Sequence, residues 1–431
     1  MSTRNRKKKS ASYGSRRRRT SKPKSYNSTF GYQTALGFRW NAQSGIEQIL
    51  SANRSANNPD DFQEKIRGDR GRTVATAINL SLAAELSMKS ILAAYKLKIP
   101  RTHDLYKLYV ALPPDLRCQL SPDFVRLKAN NMCVISLGRG PTASGLKNSK
   151  EPDDPLEAAM MRSRNTFDDF RFVYELNGKS EVADPIFYFS ELRFMVDLLL
   201  SVAKQFFDKD GFTIVEGECD LPRVIVINGL ADHGGLTGSG WGFEAACRLS
   251  DAAFHFSSNH KILKSTEDQE KYCQENYWRL PAAAVGITLG IEMFLKSILI
   301  NLNLPHDNSS HDLWKCFDNL PESVQARLRV EFDERLRNSD KGMNYEFCIS
   351  SINAAEDEKW ANLKPFTRDM SDILKRTSNH FIKWRYAYEM PSTANAKTLD
   401  VPIGYLCVLL ESICLASAEV FKNPEDYRCT A

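Results

Sequence analysis

No two cysteines of this 431-residue chain stand in a C-x-x-C pair. That spacing is what a zinc ribbon or a thiol redox motif needs, so neither is expected. The ten cysteines are scattered, and no apolar signal stretch opens the N-terminus. Reduced, mostly buried thiols and a cytoplasmic protein are therefore expected. No uninterrupted apolar run reaches the roughly 18 residues of a membrane span, so no membrane partner is expected. Gly-x-Ser-x-Gly and His-Glu-x-x-His are both missing, which leaves serine-hydrolase and zinc-protease chemistry without support. The histidines do not cluster at ligand spacing, so neither a metal nor another cofactor is expected.

One absence is local. Residues 1–25 contain no acid but eleven Lys or Arg. The whole chain has a net charge of +5, so taking away eleven leaves −6 on the rest. This stretch cannot bury an apolar face, and a disordered tail is expected over 1–27. Its cations, Arg4, Arg6, Lys7, Lys8, Lys9 and Arg16, Arg17, Arg18 and Arg19 among them, suit a phosphate backbone, where binding releases counterions. RNA or another nucleic acid is the partner this implies. A solubilising or targeting role is the plainer alternative.

What the chain does have is a repeat. "ATAINLSLAAELSMKSIL" (75–92) matches "AAAVGITLGIEMFLKSIL" (282–299) at an offset of 207. "HDLYKLYVALP" (103–113) matches "HDLWKCFDNLP" (311–321) at 208. "RSRNTFDDFRFVYE" (162–175) matches "RTSNHFIKWRYAYE" (376–389) at 214. Three anchors in the same order with slowly growing offsets indicate duplication. The fold expected is all-α, with helical repeats over 28–210 and 243–425. Between them, 211–242 reads as a connector with a possible hairpin and a Gly-rich loop. The polar loop 136–155 interrupts the first repeat.

Each anchor reads as a helix. The first is apolar nearly all round, as in the middle of a bundle. Thr102 and Ser310 are candidate N-caps of the second. Its apolar positions are Leu105, Leu108 and Leu112 in the first repeat. In the third, Phe167, Phe170 and Tyr174 form a stripe matched by Phe381, Trp384 and Tyr388. A final apolar helix is expected over 187–207 and 403–421.

Polar residues recur as well. Glu85 and Lys89, like Glu292 and Lys296, stand one turn apart on the apolar helix and need partners there. At about 100° per residue, Arg385 and Glu389 flank the aromatic stripe of a continuous third helix. Arg385 is expected to pair with Glu292, and Glu389 to reach Lys296. Arg171 and Glu175 would do the same for Glu85 and Lys89. This network reads as a buried ionic clasp, or alternatively as a pocket for phosphate or nucleotide. Arg376, Asn379 and Lys383 point away from the stripe, with His380 one turn beyond Arg376. They form a solvated or interface face, or a phosphate site with His380 as proton carrier. His103 and His311 read as local capping and packing residues.

The order "A…L…E…K.IL", "HDL..L…LP", "N.F..WRY.YE" resembles the HEPN superfamily of small helical bundles, over roughly 75–207 and 282–421. The resemblance implies four or five helices per repeat and pairing of the repeats as a pseudo-dimer or homodimer. It also implies RNA or nucleotide binding, or scaffolding, in bacterial defence or stress. Catalytic members are metal-independent ribonucleases that separate an Arg from a His by a longer spacer than the three residues between Arg376 and His380. A divergent, non-catalytic member is thus implied. The alternative is an endoribonuclease in which Arg376, Asn379 and His380 act.

Overall fold

A computed structural model describes residues 28–67, 70–128, 133–136, 151–171, 186–207, 245–250, 253, 277–307, 310–338, 346–349, 368–385 and 399–422. Of Lys383, Trp384 and Arg385 it describes the backbone alone. The basic tail, the expected hairpin, the Gly-rich loop, loop residues 137–150, Glu175 and Glu389 lie outside the described residues.

Helices α1 (Ser28–Asn41), α2 (Gln43–Ser55) and α3 (Pro59–Arg67) precede the long α4 (Arg70–Ala94). Then come α5 (Leu105–Ala111), α6 (Pro114–Lys128), strand β1 (Ile135–Ser136), α7 (Pro155–Arg162), α8 (Thr166–Arg171), β2 (Ile186–Phe187) and α9 (Phe189–Phe207). After a helical stretch at 245–249, the order from α4 to α9 recurs. Its members are α10 (Leu280–Asn301), α11 (Leu313–Asp318), α12 (Glu322–Asn338), β3 (Glu346–Ile349), α13 (Met370–Thr377), α14 (His380–Arg385), β4 (Leu399–Pro402) and α15 (Ile403–Lys422). The fold of the described residues is all-α apart from two small antiparallel pairs, β1 with β2 and β3 with β4. Those strands were not expected within the repeats.

Fine details recur too. Leu97 N donates to Leu92 O at 2.9 Å, and Leu304 N to Leu299 O at 2.8 Å, both offset by 207. The residue before each leucine is left-handed, Lys96 at φ 58° and Asn303 at φ 57°. Two helices thus end in the same Schellman-type turn without a glycine. From 156–167 to 370–381, buried positions coincide at the offset of 214, with Ala158 and Asp372 the one mismatch.

Helices α4 and α10 lie at the centre. Every residue from Thr73 to Leu92 and from Leu280 to Leu299 is buried. Both helices are long and apolar enough to cross a membrane, although Lys and Glu interrupt each apolar run. In this fold they are enclosed by the other helices. Four of their hydroxyls are satisfied within the helix: Thr76, Ser81, Ser87 and Thr288 each donate to the carbonyl four residues back at 2.7 Å. Such back-bonding lets a polar side chain sit in an apolar layer without stranding a donor.

A single hydrophobic cluster runs through both repeats. Helix α1 helps to join them, because Gly37 brings its backbone against the start of α10. A Cβ at Gly37 would stand 2.9 Å from Trp278 O and 3.0 Å from Ala282 Cβ. Beside this contact the Arg279 guanidinium lies between two indoles, 4.3 Å from Trp40 and 4.7 Å from Trp278. Cation–π attraction there ties α1 to the lead-in of α10.

Two local expectations change. Asp104 and Asp312 are the N-caps, accepting from Lys107 N and Lys315 N. Thr102 and Ser310 instead accept from the aspartate N–H groups, at 3.1 and 3.3 Å, in a turn just before the cap. The third anchor is also not one helix. Helix α7 ends at Arg162 and α8 starts at Thr166; α13 ends at Thr377 and α14 starts at His380. At the second break Asn379 is left-handed, φ 63°. Ser378 Oγ holds that turn: it donates to Asp312 Oδ1 at 2.8 Å and accepts from Trp314 N at 3.2 Å. Angles carried across that break, which set Arg376 and Asn379 against the aromatic stripe, therefore do not apply.

Candidate functional site

The first repeat buries Glu85 and Lys89, 1 % and 2 % exposed. Lys89 Nζ donates to Glu85 Oε1 at 2.7 Å. His103 Nδ1 stands 3.2 Å from both carboxylate oxygens. The second repeat reproduces the group. Lys296 Nζ donates to Glu292 Oε1 at 2.8 Å and to Ser310 O at 2.9 Å. His311 Nδ1 lies 2.9 Å from Glu292 Oε2. The expected burial of the Glu–Lys pairs is thus found. His103 and His311 are not caps: each brings an imidazole to a buried carboxylate.

Arg171 departs from the expected pairing within one repeat. Its guanidinium crosses to the other repeat, where Nη2 lies 3.4 Å from Glu292 Oε1 and 3.1–3.2 Å from the His311 ring nitrogens. The reason is positional. Helix α8 is separate from α7, and the side of it that carries Phe167 and Arg171 meets the second repeat. Among the described residues Glu292 thus has Lys296, His311 and Arg171 as partners, and the Arg385 side chain expected beside it lies outside them.

The rings between the two groups form a ladder. His103 lies 5.8 Å from Phe167, Phe167 lies 6.2 Å from Phe381, and Phe381 lies 4.8 Å from His311. The two phenylalanine planes differ by only 2°. With the carboxylates added, the series runs Glu85, His103, Phe167, Phe381, His311, Glu292. Each member's counterpart in the repeat stands at the mirrored place. The equivalent residues Phe167 and Phe381 meet each other at its centre, as residues beside a two-fold axis do. Arg171 lies over both phenylalanines, 5.8 Å from one ring and 5.6 Å from the other.

Electrostatics keep Glu292 ionised. Burial alone would raise its carboxyl pKa. The His311 hydrogen bond and the Lys296 and Arg171 charges outweigh that and hold it down at about 2. A carboxylate held so low is a fixed charge at neutral pH, not a proton carrier.

The other candidate residues fall around the break between α13 and α14. Arg376 is on α13, with Nη1 3.8 Å from Asp372 Oδ2. Asn379 forms the turn, and its N–H donates to His311 O at 3.2 Å. His380 opens α14 and is 2 % exposed, like its counterpart Thr166 at 3 %. Of the readings of that face as solvated or as an interface, the solvated one is therefore corrected for His380. The break turns it into the core. Arg162, the counterpart of Arg376, forks Glu191 at 2.6 and 3.0 Å and reaches Glu151 at 2.8 Å. In the first repeat this arginine thus grips a carboxylate. Glu191 corresponds to Tyr405, so the second repeat lacks that acid.

Among the described residues, no group of three or more His, Cys, Asp or Glu side chains could hold a metal ion. Comparisons with protein-family models, curated proteins and solved structures found no match.

Proposed function

We propose that the chain is a duplicated, non-catalytic HEPN-like protein whose body is an internal pseudo-dimer and whose basic N-terminal residues contact RNA. The mirrored ladder from Glu85 to Glu292 supports the pseudo-dimer. In it the charged groups serve one another: Lys89 and His103 face Glu85, while Lys296, His311 and Arg171 face Glu292. That satisfaction favours a clasp between repeats over a ligand pocket. The RNA contact rests on one observation, the eleven cations and no acids of residues 1–25 beside a body of net charge −6. A polyanion would be held by that arm, with the acidic body discouraging a broader contact. A part in bacterial defence or stress comes from the family resemblance.

The test uses the full chain and mixed RNA in EDTA across a salt series. Binding should weaken steeply with salt, and neutralising Arg16, Arg17, Arg18 and Arg19 to Ser should flatten that slope by about 3 to 4 in log–log units. RNA should stay intact. Binding that ignores the four substitutions overturns the arm. Cleavage that disappears in His380→Ala replaces this reading with the endoribonuclease one.

A further inference from the structure

In the second repeat, the helical stretch at 245–249 and the final helix α15 bring one cysteine each to a common seam. The Sγ atoms of Cys247 and Cys414 are 3.8 Å apart, and both are free thiols. A disulfide needs about 2.0 Å between sulfurs, so each must move by only about 1 Å, within the reach of a χ1 adjustment. The backbone around the pair is set by α10. A Cβ at Gly290 would stand 2.6 Å from Ser250 Oγ and 2.8 Å from Ala246 O, and one at Gly286 would collide with Leu249 O. The two glycines let the 245–249 stretch lie directly on α10, against which α15 also packs. The first repeat ties its own first and last helices at such a seam by an ion pair, Arg39 Nε on α1 to Asp197 Oδ1 on α9 at 2.7 Å.

We propose that Cys247 and Cys414 are a thiol–disulfide site, closed by exchange with a small-molecule disulfide such as oxidised glutathione. Cys247 is half-buried and Cys414 is 1 % exposed. Burial also holds the Cys414 thiol well above its ordinary pKa. Cys247 is therefore the first nucleophile. Its thiol gives up a proton to water and its sulfur bonds to one sulfur of the small disulfide. The other sulfur leaves as a thiolate and takes up a proton. Cys414 then loses its proton and attacks the Cys247 sulfur of the mixed disulfide, expelling the second small thiol. Two protein thiols and one small disulfide become one protein disulfide and two small thiols, with two electrons passing to the small molecule. The attack by Cys414 is the slow step, because its thiolate is scarce.

The full chain is incubated with oxidised glutathione under native conditions, sampled over time, quenched with an alkylating agent and mapped by peptide mass. A glutathione adduct on Cys247 should come first, followed after a lag by a peptide pair joining Cys247 to Cys414. Dithiothreitol should reverse both. In Cys247→Ser, Cys414 should remain a thiol that is alkylated only after unfolding. In Cys414→Ser, Cys247 should stop at the adduct. The closed protein should melt at a higher temperature than the reduced one, and neither variant should show that rise. The exposed Cys118 reports that the oxidant reacted. The proposal is overturned if Cys118 is modified while Cys247 is not, if wild-type Cys247 stays as the adduct with Cys414 free, or if either pairs with another cysteine.

Discussion

Substituting methionine for Arg171 removes the guanidinium that crosses between the repeats and keeps an unbranched stem beside Phe167 and Phe381. Arg171 is 6 % exposed and Glu292 is 1 % exposed, so water cannot take the place of the guanidinium. Breaking a buried pair costs about 3–5 kcal/mol when a charge is left alone. Glu292 is not left alone, since Lys296 remains at 2.8 Å and His311 at 2.9 Å. Arg171 is also the most distant of its three partners, at 3.4 Å. The expected destabilisation is therefore below that range, about 2 kcal/mol. Urea unfolding of the full chain reads it as a lower midpoint with an unchanged slope. A double-mutant cycle then identifies the partner. Arg171→Met with Glu292→Gln should show a coupling of at least about 1 kcal/mol, whereas Arg171→Met with Glu85→Gln should add within about 0.5 kcal/mol. Stronger coupling to Glu85 than to Glu292 would refute the crossing.

Acid should weaken the same joint. The Glu292 carboxyl is depressed from 4.5 to about 2 in the folded state. Its contribution is thus present above about pH 4.5 and is lost as pH falls toward 2, for a total near 3 kcal/mol by linkage. Denaturation midpoints between pH 6 and pH 2.5 should show a fall that Glu292→Gln reduces. Phe167→Ala opens a hole in the middle of the ladder and should cost about 3–5 kcal/mol, measured by chemical denaturation. Gly290→Ala forces a methyl to within 2.6 Å of Ser250 Oγ and 2.8 Å of Ala246 O. Overpacking of about 1–3 kcal/mol should exceed the roughly 1 kcal/mol gained in helix propensity, so the variant should melt at a lower temperature. Asp104→Ala removes the acceptor for Lys107 N and for Arg164 Nη2, the latter at 2.6 Å, and should cost about 1–2 kcal/mol in the same assay.

The all-α class and the buried Glu–Lys pairs were legible in the sequence. An apolar surface all round a 25-residue helix leaves the bundle centre as its place, and two charges one turn apart there have to face each other. The recurrence of elements from α4 to α9 was likewise expected from matched strings. Partners were harder to read. Helical angles assumed one helix through Asn379, and its φ of 63° breaks that helix and redirects everything after it. Asn is among the residues that adopt this conformation, so the residue type was a clue, but "TSNHF" carries no glycine or proline to mark the break. The histidine contacts with Glu85 and Glu292 were missed because a histidine next to an aspartate at a helix start suggests capping first. A buried carboxylate in need of a further partner was the signal that pointed to them. The crossing of Arg171 and the stacking of Phe167 on Phe381 depend on how two repeats meet, and periodicity within either repeat does not encode that. The short strand pairs were hidden for a similar reason: two to four residues are too few to show alternation.

The mirrored meeting of the repeats is tested most directly by aromatic nuclear Overhauser spectroscopy on the full chain with labelled phenylalanine, assigned with Phe167→Leu and Phe381→Leu. Ring centroids 6.2 Å apart predict cross-peaks between Phe167 and Phe381 that vanish in either variant. Cross-peaks from Phe167 that reach only residues of its own repeat would contradict the account.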